Sequence, residues 1–107
     1  MIKAEFYDQD GRITGFSVSG HSGYAEAGAD VVCAAVSSAV TFADATIRDV
    51  LGELAKTKVD EANAGVTLTL PARCENEDAV QAVLTGMMLT LSALRDDYPD
   101  YIEVMEV

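Results

Sequence analysis

Apolar and polar side chains alternate from the second residue onward, with Ile2, Ala4 and Phe6 set between Lys3, Glu5 and Tyr7. That period of two predicts a half-buried strand, and Asp10-Gly11 supplies residues that tolerate positive φ in a hairpin turn. A second strand is predicted over 13–19. Glycine then punctuates the stretch Gly20-His21-Ser22-Gly23-Tyr24-Ala25-Glu26-Ala27-Gly28-Ala29, which is too polar for core and reads as an exposed loop. From Asp30 the period changes. Val36, Val40, Ala43, Ile47, Val50 and Leu54 recur at steps of three and four, predicting a helix about six turns long with one face against the sheet. Strands over 59–62 and 66–70 are predicted around Asn63-Ala64-Gly65, with Pro71 closing the hairpin. Val80, Val83, Leu84, Met87, Met88, Leu91 and Leu94 mark a second helix. Glu75, Glu77 and Asp78 lie near its positive end, and Pro99 lies beyond its stop. A strand over 101–107 closes the order ββαββαβ. The predicted fold is α/β in the α+β sense: a two-layer sandwich of a mixed sheet and two main helices, one domain over 1–107.

Composition fits that picture. A chain of 107 residues, 50% of them hydrophobic, is the size of one domain with one core. The apolar runs are broken by charge or glycine short of the roughly 18 to 20 residues of a membrane span, and Met1 leads straight into the strand pattern rather than a basic and then apolar leader. The expectation is therefore a soluble, cytoplasmic protein with no membrane partner. In a reducing compartment the two cysteines are expected as thiols rather than a bridge. Asp and Glu number 18 against 7 Lys and Arg, a net charge of −11, which repels a phosphate backbone and argues against free nucleic acid as a partner. The same field either attracts a basic polypeptide or serves only to keep the protein in solution.

Candidate chemistry gathers at one edge of this fold. His21 is the chain's single histidine and stands where the second strand ends; Cys33 is expected in the first turn of the next helix, with Asp30 or its neighbour as N-cap. Amides of a first turn point outward with partial positive charge, favouring a thiolate and offering donors to an oxyanion. An imidazole within reach of that sulfur makes a nucleophile with its acid and base. Asp30 either caps the helix or orients the imidazole, and a catalytic role requires it to face His21. Ser37, one turn after Cys33, either hydrogen-bonds the site or is a small residue that lets helix and sheet approach. A zinc site is disfavoured, because His21, Cys33 and Cys74 lack the close ligand pairs it needs. The glycine-bearing loop lacks the lysine of a phosphate-binding loop. Cys74, ahead of the second helix, has no histidine to serve it and reads as structural. A redox-active thiol and a non-catalytic binding module are the rival readings.

Gly20-His21-Ser22-Gly23-Tyr24-Ala25-Glu26, followed by Gly28 and Asp30-Val31-Val32-Cys33-Ala34-Ala35-Val36-Ser37, resembles the signature of the ribosomal-processing cysteine protease family, Prp. The resemblance implies a homodimeric, cofactor-free cysteine endopeptidase that removes the N-terminal extension of a large-subunit ribosomal protein. His21 and Cys33 match its catalytic pair, Asp30 and Ser37 its accompanying acid and hydroxyl, and 22–29 a mobile segment over the site. The implied course is attack by the Cys33 thiolate, an oxyanion held by amides such as those of Cys33 and Ala34, and proton transfer by His21. Family substrates carry apolar and aromatic residues before the cut, so an apolar cleft is expected.

Overall fold

A computed structural model of the chain describes residues 1–20 and 27–107, with side chains of the first helix described from residue 31 onward. Strands β1 (Ile2–Gln9) and β2 (Arg12–Ser19) form the opening hairpin. Asp10 at φ 55° and Gly11 at φ 84° take the left-handed conformations that a two-residue turn needs. Next come helix α1 (Ala27–Ala45), strands β3 (Lys56–Asp60) and β4 (Gly65–Thr69), helix α2 (Glu77–Asp97) and strand β5 (Ile102–Glu106). The sheet runs β3-β4-β2-β1-β5, antiparallel except where β5 lies parallel to β1. The expected order, mixed sheet and two-helix layer are all present.

Alternation along the strands decides which side chains meet the helices. In register, Ala4 faces Val18, Phe6 faces Phe16, and Phe16 faces Leu68, so one sheet face becomes a continuous apolar floor. On it pack Val32, Val36, Val40, Ala43 and Ile47 before and after the end of α1, and Val80, Leu84, Met87 and Leu91 of α2. Lys3, Glu5, Ser17 and Thr67 point the other way, Lys3 exposed and the others half-buried; Ser17 and Thr67 hydroxyls pair at 2.9 Å.

Three expectations are corrected. The first helix starts at Ala27 rather than near Asp30, because Ala27 and Ala29 are good helix formers and outweigh the cost of Gly28. Its predicted apolar face is right as far as Ile47, but Val50 and Leu54 are 76% and 85% exposed. Thr46–Val50 winds as a wider π-turn, with Leu51 N–H bonded to Thr46 O at 2.8 Å, and Gly52 at φ 68° ends it. Widening that turn rotates Val50 off the α-helical stripe, and Leu54 falls beyond the helix. The third strand runs earlier than 59–62: as the sheet edge it buries little, so Lys56, Thr57 and Lys58 belong to it without apolar periodicity. By length and mean hydropathy alone Val31–Val50 could cross a bilayer, although Asp44, Arg48 and Asp49 break its apolar run as expected. Here its apolar stripe is spent on the sheet.

Candidate functional site

Helix α1 lies over the sheet so as to leave a cleft beside Val18 and Val66. The cleft has a volume of about 310 Å³; Cys33, Val36, Ser37, Val40 and Thr41 form its helical wall, and Ile2, Val18, Gly20, Ala64 and Val66 form the sheet side. Cys33, Ser37 and Thr41 are spaced by four, so their polar groups make one ridge along an otherwise apolar wall. Val36 and Val40 interleave with them. The structure therefore brings Ser37 to the same cleft as Cys33. Thr41, Gly20, Ala64 and Val66 were not anticipated, although continuing the step of four from Cys33 and Ser37 points to Thr41.

Backbone geometry fixes the sheet side. Gly20 leaves β2 at φ 87°, its N–H donates to Asn63 O at 2.9 Å, and a Cβ there would stand 2.6 Å from Met1 O. Only glycine fits that turn. The acceptor belongs to a turn held by Asp60, whose carboxylate accepts from Asn63 Nδ2 at 2.7 Å and from Asn63 N at 3.4 Å. Those bonds, led by the one from the Asn63 side chain, hold the Asp60 carboxyl below its usual range. His21 lies outside the described residues, as does the 22–26 part of the loop. Gly20, directly before His21 in sequence, lines the cleft that Cys33 lines.

The helix start changes the electrostatics expected for the sulfur. With α1 beginning at Ala27, Cys33 is its seventh residue and Asp30 its fourth. Asp30 is therefore within the helix and is not its N-cap. In a regular helix the Cys33 and Ala34 amides bond the carbonyls four residues back, so neither is an orphan donor as expected for an oxyanion hole. The helix-terminal field also fades beyond the first turn.

Cys74 has a different setting. Its Sγ accepts from Arg12 Nη2 at 3.7 Å, beside the Arg12–Glu77 ion pair, where Nε and Oε1 are 2.5 Å apart. Burial, then the charges of Glu53 and Glu77, push the Cys74 thiol up, and Arg12 only partly opposes them. A thiol kept protonated is a poor nucleophile. Cys33 and Cys74 are not joined in a disulfide. Among the described residues, no three His, Cys, Asp or Glu side chains gather as metal ligands.

Comparison with known proteins gives a consistent pattern. The family model described as cysteine protease Prp matches residues 1–103. The ribosomal processing protease Prp of S. aureus, solved with a substrate peptide, superposes with a TM-score of 0.87 at 22% identity, all of both chains being covered. The same protease with a covalently linked product peptide gives 0.86 at 22% identity, again over all of both chains. SMU.848 of Streptococcus mutans gives 0.85 at 24% identity, over 100% of this chain and 94% of that one. No curated protein sequence matches.

Proposed function

The chain belongs to the Prp family of cysteine proteases, and on that premise we propose that it removes the N-terminal extension of a large-subunit ribosomal protein, with Cys33 as nucleophile and His21 as its acid and base. The observation that carries this reading is the apolar cleft shared by Cys33 and Gly20, the residue preceding His21. Its mostly aliphatic walls suit a substrate segment of apolar side chains, while the polar ridge of Cys33, Ser37 and Thr41 offers groups to the peptide backbone.

In the proposed course His21 takes the Cys33 proton and the sulfur attacks the scissile carbonyl. The imidazolium then protonates the departing amine, leaving a thioester. His21 next draws a proton from water, the hydroxide oxygen displaces the sulfur, and the carboxylate product leaves. Ser37, one turn from Cys33 in the same wall, is the supporting hydroxyl; Asp30 is proposed to orient the imidazole, a role supported by its place within α1 rather than ahead of it. No cofactor enters these steps. A homodimer acting in the cytoplasm, where the thiol stays reduced, completes the proposal.

The test is incubation of the purified protein with a peptide spanning the extended ribosomal N-terminus, read by mass spectrometry, with Cys33→Ser alongside. Cleavage by the wild type alone is expected. Equal cleavage by both rejects Cys33 as nucleophile, and cleavage by neither rejects the substrate.

A further inference from the structure

The start of β1, the end of β2 and the turn between β3 and β4 meet at one end of the sheet and form a rim with a concavity on either side. On the helical side lies the Cys33 cleft, which takes Ile2, Gly20 and Ala64 from these segments. On the opposite sheet face lies a second concavity of about 420 Å³, which takes their neighbours Met1, Gly20 and Asn63 together with Lys3, Ser19 and Asp60. Gly20 belongs to both. The first concavity is walled mainly by aliphatic side chains, the second by hydroxyl, amide and charged groups. In register Asp60 faces Gly65 on β4 and Lys3 faces Ser19 on β2, so in the order β3-β4-β2-β1 the carboxylate and the ammonium stand on opposite sides. Both are exposed, and neither makes an ion pair among the described residues. The Asp60 oxygens accept from Asn63 at 3.4 and 2.7 Å, and a carboxylate has about four acceptor sites, so capacity is left for a further donor.

We propose that this polar concavity receives the substrate segment that follows the cut, with a basic side chain of that segment beside Asp60. The inference rests on the peptidase reading above and names a subsite for it. Chemistry sets the direction of the chain. His21, next to Gly20 in sequence, is assigned the proton that the departing amine takes, so the residues after the scissile bond lie on the Gly20 side of Cys33. The residues before it have the aliphatic cleft. A peptide that keeps its course past Gly20 crosses the rim onto the opposite sheet face, where Ser19 and Asn63 offer hydrogen-bonding groups to its backbone. Asp60 attracts a cationic side chain and Lys3, on the far side, repels it, which fixes where along the concavity that side chain comes to rest. A diffuse acidic surface would instead draw a basic tail without regard to the position of its charge.

The experiment measures kcat/KM for peptides that share one apolar cleavage segment and bear a single lysine, or a glutamate in its place, at each of the first few positions after the cut. Wild type, Asp60→Asn, Asp60→Lys and Lys3→Glu are compared through the lysine-to-glutamate ratio at each position, in which any general loss from disturbing the Asp60–Asn63 turn cancels. For the wild type the ratio is expected to reach about fivefold or more at one position or two adjacent ones, the upper scale of an exposed ion pair, and to stay near unity elsewhere. Asp60→Asn should bring it close to unity, Asp60→Lys should invert it, and Lys3→Glu should spread the preference to neighbouring positions. Asp60→Asn keeps an oxygen for Asn63 and carries the test if Asp60→Lys fails to fold, as circular dichroism will show. A ratio that is the same at every position, or one unchanged by the Asp60 substitutions, overturns the subsite and leaves the peptidase standing. Wild-type protein that cleaves none of the peptides removes the peptidase reading and the subsite with it.

Discussion

Gly20 shows how a single backbone conformation can govern a site. Its φ of 87° and the 2.6 Å approach of a would-be Cβ to Met1 O leave no room for a side chain. Gly20→Ala should cost at least about 1–2 kcal/mol from the left-handed conformation alone. Cleavage should fall more than stability explains, because the next residue is His21; chemical denaturation and peptide turnover on one sample check both. The two thiols should also separate. Cys74 is held protonated by burial and by Glu53 and Glu77, so at neutral pH iodoacetamide should modify it more slowly than Cys33, and Cys74→Ser should retain turnover. His21→Ala should abolish cleavage and slow alkylation of Cys33, since a sulfur at the seventh helical position gains little from the helix terminus. Alkylation of Cys33 unchanged by that substitution would favour the redox-thiol alternative. His21, Cys33, Asp30 and Ser37 were legible as a motif, and the cleft joins Ser37 to Cys33. The oxyanion donors were misjudged because three residues with side chains no larger than a methyl group, Ala27 to Ala29, carry little periodicity to mark where a helix begins.

At the scale of elements, α2 is held at its start by side chains from distant segments. Glu53, 8% exposed, accepts from the amides of Glu75 at 3.1 Å and Asn76 at 2.9 Å, and Asn76 Nδ2 donates to Leu51 O. Replacing Glu53 by Ala leaves those amides without their acceptor, a loss of about 1–3 kcal/mol readable as a lower denaturation midpoint. Arg12 ties β2 to the same place through Glu77 and Pro71 O. The Arg12 hydrogen bond holds the Glu77 carboxyl below its usual range, so the folded state binds that proton less readily than the unfolded one. Its contribution is therefore present above the ordinary glutamate range and vanishes as pH falls through the lower folded value. Arg12→Met should flatten that acid limb of the stability profile, read from denaturation midpoints across an acid pH series. Elements with a buried stripe were readable from the sequence, as Val80, Leu84, Met87 and Leu91 illustrate. The β3 edge was not, because Lys56, Thr57 and Lys58 carry no buried alternation, and neither was the π-turn, which leaves the spacing of residues unchanged while rotating what they face.

For the molecule as a whole, the acidic balance acts in opposite senses on the two associations proposed. Two copies lose repulsion when salt screens their net charge of −11, but a basic ribosomal segment loses attraction. The residues that line the sulfur's cleft, from Ile2 and Val18 to Thr41 and Val66, include no Asp, Glu, Lys or Arg. Screening should therefore change capture of the substrate rather than the bond-breaking steps. Raising salt from about 0.05 to 0.5 M is expected to increase KM severalfold for a substrate bearing a basic tail and to leave kcat within about twofold, while the same apolar cleavage segment without that tail shows little change in either. Steady-state cleavage of the two peptides across the salt series measures this directly. A kcat that falls with salt for both peptides would place charge at the chemical step, and an unchanged KM for the tailed peptide would mean that the acidic surface serves solubility alone.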